Sequence, residues 1–205
     1  GPETSRHSEY KSGIARLLAA AGRPGGVPAA LTPYLDAVRA MNPEGRLRYY
    51  PGSPALSLAL LRPDDSVELL ERHPRSLRML RAAVRGDRRA HVHDRDAYEG
   101  LPALVPLACH RRWPQGVYAI WYPMIRDPQA ERFVGRIVGT GLRQIWQAEL
   151  AVAPKRAQGL WGSGMLVVNP PFGLDEVLGR VMGCLHSVLA EEDAALPVAR
   201  WLVPE

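Results

Sequence analysis

Apolar residues recur at helical spacing over the first quarter of the chain. Those at positions 10, 14, 17, 18 and 21 fall on one side of a helix, which the glycine-rich residues 22–26 end. A second helix is predicted over residues 31–41, with Leu35 and Val38 directed inward. A third opens at the Pro51-Gly52-Ser53-Pro54 turn and runs to about residue 61, since proline suits a first helical turn.

Beyond residue 65 the pattern changes to alternating strands and helices. The predicted strands cover residues 66–70, 90–93, 116–122, 143–152, 164–169 and 198–203, and the predicted helices cover 74–84, 128–139 and 174–189. Alternation of this kind predicts an α/β fold, with a sheet that carries helices on both faces.

Residues 101–114 do not follow this alternation. Prolines at 102, 106 and 114 interrupt the segment, and its apolar stretch stops at Cys109-His110-Arg111-Arg112. A doubly wound sheet requires a further strand and crossover helix here, and the sequence predicts neither. We therefore expect a segment to be missing near residues 105–110.

Composition narrows the class of protein. The chain has 205 residues, 46% of them hydrophobic and 23% charged, which is typical of one globular domain rather than a disordered chain. We expect no membrane span, because no apolar run approaches roughly 18 residues. The net charge of +5 comes almost entirely from arginine and permits a polyanionic partner. Cys109 and Cys184 form no Cys-x-x-Cys motif, so free thiols in a reducing compartment are expected.

Two acidic residues follow neighbouring predicted strands. Glu71 comes directly after the first, where in nucleotide-binding sheets a carboxylate accepts hydrogen bonds from ribose hydroxyls. Asp96 follows the second, where a polar side chain can hold an adenine amino group. Ser53 stands in a tight turn into a helix, whose free N–H groups can meet an anion. The alternatives are two solvated loop acids and a simple helix N-cap.

Two further motifs give weaker indications of function than the acidic residues and Ser53. Residues 91–96 resemble the His-x-His-x-Asp-His ligands of metallohydrolases, but Arg95 and Asp96 stand where Asp and His are required, so no metal is expected. Asn169-Pro170-Pro171-Phe172 matches the pattern with which amino-group methyltransferases hold a target amine and stack a flipped base. Its place several elements after Asp96 favours a proline-broken strand end instead.

Four arginines fall on one side of the helix predicted over residues 74–84 and of the residue that follows it. These arginines are Arg75, Arg78, Arg81 and Arg85. Leu77, Leu80 and Val84 fall on another side of the same helix. Such a stripe can follow the phosphates of RNA. The alternative is an ordinary solvated face.

Several runs together resemble one family. They are Leu47 to Pro54, Glu71-Arg72-His73-Pro74, Ala119 to Pro123, Glu149 to Val152, Ser163-Gly164-Met165 with Asn169-Pro170-Pro171, and Trp201 to Glu205. They are similar to the RlmJ-type 23S ribosomal RNA adenine-N6 methyltransferases, earlier described as proteins for catabolism of external DNA. The resemblance extends from about Glu9 to the last residue.

The resemblance implies a Rossmann-like fold that binds S-adenosylmethionine, with a small helical insertion subdomain in residues 1–46 and the methyltransferase domain in 47–205. Carried over to matching positions, Ser53, Glu71 and Asp96 are cofactor contacts, Glu71 for the ribose and Asp96 for the adenine. The implied substrate is an adenine of 23S ribosomal RNA, and the implied protein is a cytoplasmic monomer without metal or membrane association.

The sequence departs from the family in two places. The family's N-terminal part, with its first strand, is absent, and so is the catalytic Asp-Pro-Pro-Tyr, which belongs near residues 105–110. Asn169 to Phe172 corresponds to a second, non-catalytic motif, so no catalytic residue is assigned. A non-catalytic nucleic-acid-binding homologue and a protein that acts on external DNA remain as alternatives.

Overall fold

The computed structural model describes residues 13–109, 113–125, 128–155 and 159–204. The helices are α1 (Ile14–Ala21), α2 (Thr32–Ala40), α3 (Ser53–Leu60), α4 (Pro74–Ala83), α5 (Ala97–Leu107), α6 (Gln129–Val138) and α7 (Leu174–Leu189). The strands are β1 (Val67–Leu70), β2 (Ala90–His93), β3 (Tyr118–Met124), β4 (Ile145–Ala151), β5 (Gly162–Val168) and β6 (Val198–Val203). The predicted strands all form, with ends shifted by at most a few residues; the first turn of the helix predicted from Tyr10 lies outside the described residues.

The chain divides into two compact units, residues 29–100 and residues 1–28 with 101–205. In the 29–100 unit, β1 and β2 pair in parallel, with Leu70 opposite His93, and α4 supplies the crossover between them. Helices α2 and α3 pack together, and α3 also contacts β1. Leu35, Val38 and Leu56 are buried here, as the helical spacing of residues 31–41 predicted for the first two.

An arginine joins α3 to the start of β2. The Arg89 guanidinium donates to the carbonyl oxygens of Leu58 and Leu61, at 3.1 and 3.0 Å. Asp87 holds the same guanidinium at 2.7 Å, and hydrogen bonds from Arg89 lower the pKa of that carboxyl to about 2. Because Arg89 directly precedes β2, the carboxyl end of α3 lies at the amino end of the parallel pair.

In the other unit, four strands form one sheet in the order β3-β5-β4-β6, each antiparallel to its neighbours. Helix α6 packs on one face, where its Phe133 ring lies 5.6 Å from that of Tyr122. Helix α7 covers the other face, where Met182 joins Trp146, Ala148 and Val167 in a buried cluster. The described strands thus form two sheets, and β3 is an edge strand.

The helix α5 corrects the expectation for residues 101–114, because a helix is present despite Pro102 and Pro106. The Asp96 side chain caps its first turn, and burial of Val105, which is 6% exposed, anchors the turn that follows. Capping and burial offset the backbone hydrogen bonds that the two prolines remove. No strand forms between β2 and β3 in the described part of that stretch; residues 110–112 lie outside it.

A buried polar network crosses the four-stranded sheet. The Tyr122 hydroxyl donates to Glu149 Oε1 at 2.7 Å and accepts from Gln147 Nε2 at 2.8 Å, while Arg200 Nε donates to Gln147 Oε1 at 3.0 Å. Burial, and then the bond to Glu149, raise the pKa of Tyr122 far above its usual range, so the hydroxyl stays a donor. Tyr122 and Glu149 belong to strands that β5 separates, and both lie opposite Gly164.

Replacement of Gly164 by alanine tests this arrangement. A Cβ at position 164 would overlap the Tyr122 ring at its Cζ, so Gly164→Ala must displace the ring and break the network. We expect a loss of about 1–3 kcal/mol in the free energy of unfolding, measured by urea denaturation. The control is Gly183→Ala in α7, where a Cβ meets nothing within 4 Å and alanine should stabilise the helix by about 0.5–1 kcal/mol. Equal stability of the two variants would contradict the crossing of Tyr122 over Gly164.

Candidate cofactor site

Two carboxylate residues, Glu71 and Asp96, follow the two parallel strands at the same edge of the sheet. The Glu71 N–H donates to the His93 carbonyl at 3.1 Å, which extends the ladder one residue beyond β1. Asp96 follows three residues after the last residue of β2. The carboxyl ends of neighbouring parallel strands meet at one edge, which is where ligands bind in open α/β sheets.

The Glu71 side chain is half-buried and fixed by its own turn. Its Oε1 accepts the His73 N–H at 2.7 Å. Among the described residues nothing donates to its second oxygen. That oxygen is thus available to a hydroxyl donor from outside the protein, as a ribose contact requires.

Asp96 begins α5. Its Oδ1 accepts the N–H groups of Tyr98 at 2.9 Å and Glu99 at 3.3 Å, the pattern of an N-cap. One turn later the buried Gly100 lies so close to β1 that a Cβ there would be 2.8 Å from Leu70 Cδ2. Since Leu70 directly precedes Glu71, this contact brings the start of α5 beside the end of β1, and with it the two acids.

Ser53 is the first residue of α3, and Gly52 takes the N-cap position. The interpretation of Ser53 as a simple N-cap is therefore wrong; its exposed hydroxyl makes no capping hydrogen bond. Arg89 holds the last turn of α3 at the amino end of the parallel pair, and the helix contacts β1.

The segment before Ser53 is organised by Asn42. Its Nδ2 donates to the carbonyls of Val38 and Tyr49, and its Oδ1 accepts the N–H groups of Arg48 and Tyr49, at 2.7 to 2.9 Å. The side chain ties the end of α2 to the approach to α3. The Asn42-Pro43-Glu44-Gly45 run, rich in turn formers, was the available signal for this role.

The predicted arginine stripe is exposed along its whole length. Arg75, Arg78 and Arg81 lie on α4, but Arg85 follows the helix, because Val84 is its C-cap. Leu77 and Val84 are buried, as the pattern predicted. None of the four guanidinium groups is paired with another described residue.

The histidines of residues 91–96 do not converge. His91 is exposed, whereas His93 Nε2 lies 2.6 Å from Glu68 Oε2 across the parallel pair. In the described ranges no three His, Cys, Asp or Glu side chains form a group that could hold a metal ion. Nor does any helix there combine the length and apolar character that crossing a bilayer requires.

Asn169 lies in the other unit, directly after β5. Its Nδ2 donates to the carbonyls of Pro114 and Gly116, both at 3.0 Å, and so holds the approach to β3. Because β5 runs antiparallel to β3 and β4, this residue stands at their amino ends. It also lines a cavity of about 400 Å³ with Cys109, Arg143 and Gln144, among others. Both cysteines are free, and burial raises the pKa of the Cys109 thiol.

Comparison with known proteins decides the family. The family described as "Ribosomal RNA large subunit methyltransferase D, RlmJ" matches residues 1–111 and 105–203. The chain belongs to this family. It is therefore a ribosomal RNA methyltransferase with a Rossmann-like fold, which confirms the fold and family that the sequence predicted.

Two relatives and one solved structure show how far the likeness extends. Ribosomal RNA large subunit methyltransferase J of Escherichia coli is 35% identical over 228 residues, covering 98% of this chain and 80% of the relative. The Haemophilus influenzae protein of the same name is 30% identical, covering 99% and 81%. A crystal structure of a Legionella pneumophila protein shares the fold, with a TM-score of 0.69 at 22% identity over 94% of this methyltransferase and 80% of that chain.

The capping role of Asp96 can be measured apart from any role in the cofactor site. Asp96→Ala should lower the free energy of unfolding by about 0.5–2 kcal/mol, because two N–H groups of α5 lose their acceptor. Asp96→Asn keeps an acceptor and should stay near the wild type. Asp94→Ala, at a neighbouring exposed acid, should change stability by less than about 0.5 kcal/mol. Urea denaturation of the three variants measures this, and an Asp96→Ala as stable as Asp94→Ala would rule out the cap.

Proposed function

We propose that this methyltransferase transfers a methyl group from S-adenosylmethionine to N6 of an adenine in 23S ribosomal RNA. One observation carries the proposal: in a chain of this family, Glu71 and Asp96 stand at the shared carboxyl edge of two parallel strands. Two carboxylates placed in this way suit a ligand that offers both ribose hydroxyls and an adenine amino group.

Each residue has a distinct role in the proposed site. Glu71 accepts hydrogen bonds from the ribose hydroxyls through the oxygen that its own turn leaves open. Asp96 holds the adenine amino group while its other oxygen caps α5. Ser53 and the free N–H groups at the start of α3 receive the carboxylate of the cofactor's amino-acid part. S-Adenosylmethionine, when bound, supplies an activated methyl group.

The exposed arginines of α4 and its end serve as the RNA surface in this proposal. Arg75, Arg78, Arg81 and Arg85 are free of ion pairs with the described residues, so phosphates need not displace a protein carboxylate to reach them. Each phosphate contact releases counterions, so binding through this surface weakens as salt rises.

We also propose that the complete protein carries, near residues 105–111, a central segment of the family that these 205 residues omit. The family matches in two pieces that meet at residues 105–111, and the alignment with the Escherichia coli protein spans 228 residues although this chain has 205. The two separate sheets and the edge position of β3 agree with a strand missing between them in sequence. The family's catalytic Asp-Pro-Pro-Tyr belongs to this segment.

Absence of that segment from the complete protein would favour a second candidate, a homologue that binds nucleic acid without transferring a methyl group. In both cases we propose a cytoplasmic protein, since ribosomal RNA is its partner in either one, and we propose that it is a monomer. No metal is proposed, because attack of an amine on an activated methyl group requires none. The helical insertion of residues 1–46 stays a prediction; the compact units divide after residues 28 and 100 instead.

Binding of S-adenosylmethionine distinguishes the first candidate, the methyltransferase, from the second, the non-catalytic homologue. Under the first, the full chain binds S-adenosylmethionine in isothermal titration calorimetry, and Glu71→Ala weakens binding at least about tenfold, since a lost charge-assisted hydrogen bond costs about 1.5–3 kcal/mol. Glu99→Ala, at an exposed acid of the first turn of α5, is the matched control and should bind like the wild type. Absence of binding by the wild type, or equal binding by Glu71→Ala, would contradict the proposed cofactor site.

A further inference from the structure

Two exposed tyrosines stand immediately before the start of α3. Tyr49 is 70% exposed and Tyr50 is 52% exposed, in a unit whose other large apolar side chains mostly pack inward. Exposed aromatic rings give up hydrophobic burial, so two adjacent ones mark a surface that contacts something else. The structure also shows that neither tyrosine is loosely held.

The backbone of Tyr49 is fixed on both sides. Asn42 accepts its N–H at 2.9 Å and donates to its carbonyl at 2.8 Å. The Tyr50 hydroxyl lies 3.1 Å from that of Tyr34, which is half-buried. Burial, followed by the bond to Tyr50, raises the pKa of Tyr34, so this link persists at neutral pH. The Tyr49 backbone and the Tyr50 hydroxyl are therefore both held in place, while both rings are exposed.

The surroundings select the kind of partner. Arg46 and Arg48 are exposed just before the tyrosines, and the Arg48 guanidinium forms an exposed ion pair with Glu44 at 3.2 Å. Aromatic rings next to arginines are the surface on which unpaired bases stack while guanidinium groups meet the phosphates. A base-paired helix does not offer such faces, because its bases are already stacked.

Distance along the chain connects this surface to the cofactor site. Ser53 follows Tyr49 by four positions, so their Cα atoms lie at most roughly 14 Å apart. A nucleotide stacked on Tyr49 would then lie close to Ser53, the proposed contact of the cofactor's carboxylate.

We propose that Tyr49 and Tyr50 form a stacking platform for an unpaired base of the RNA substrate, next to the cofactor site. This inference rests on the proposed function, since it takes RNA as the substrate. Tyr49, the more exposed ring, contributes the main stacking face. Tyr50 is a second face whose angle the Tyr34 hydroxyl fixes.

The test compares two forms of the same RNA. Binding of the full chain is followed by fluorescence anisotropy with a labelled single-stranded oligoribonucleotide of about 12 nucleotides, and with that strand annealed to its complement. Tyr49→Ala should weaken binding of the single strand about tenfold and leave binding of the duplex unchanged, because stacking on one ring contributes about that factor. Tyr49→Phe keeps the ring and should bind like the wild type.

Two further variants make the result specific. Leu60→Ala removes another exposed apolar side chain, 48% exposed at the far end of α3, and should change neither affinity. Arg78→Ala, a phosphate contact in the proposed function, should weaken single strand and duplex alike. Three results would refute the stacking platform. Tyr49→Ala could bind the single strand as tightly as the wild type, or its affinity for the single strand and the duplex could fall equally. Tyr49→Phe could also lose as much affinity for the single strand as Tyr49→Ala. A wild type that binds neither RNA would contradict the proposed function as well.

Discussion

Parallel pairing of β1 with β2 places Glu71 and Asp96 together, and the rest of the 29–100 unit maintains that pairing. Two parallel strands need a crossover, which α4 supplies, and its outer side then carries the arginine stripe. Arg89 holds the end of α3 at the amino end of the two strands. Close packing of Gly100 against Leu70 holds the start of α5 at their carboxyl end. A one-residue slip in the β1–β2 register would turn every side chain of the slipped strand to the other face.

The other unit depends on a different constraint, the absence of a side chain at Gly164. Tyr122 reaches across the middle strand to Glu149 and Gln147 only because that position is bare. The resulting network satisfies the polar groups of Gln147, which is 2% exposed and would otherwise be costly to bury. In both units a glycine allows a side chain to approach closely, Leu70 at Gly100 and the Tyr122 ring at Gly164.

Local patterns predicted most of the elements and the edge at which the acids lie. Helix α7 and strand β6 have the predicted bounds, because long amphipathic spacing and a β-branched strand are local properties. Helix α5 was not predicted, since its prolines oppose a helix locally, while burial of Val105 depends on the folded chain. The crossing of Tyr122 over Gly164 could not be predicted either, because Glu149 and Gly164 are distant from Tyr122 in sequence. The assignment of Ser53, Glu71 and Asp96 to a cofactor stays a prediction.

Methyl transfer to RNA tests the central claim most directly. The full chain is incubated with tritiated S-adenosylmethionine and 23S ribosomal RNA that lacks the natural modification, and label in the RNA is counted and located by nuclease digestion. The account predicts label on N6 of an adenine, and none when Glu71→Ala replaces the wild type. A wild type that binds S-adenosylmethionine but leaves the RNA unlabelled would contradict the methyltransferase activity proposed for this chain.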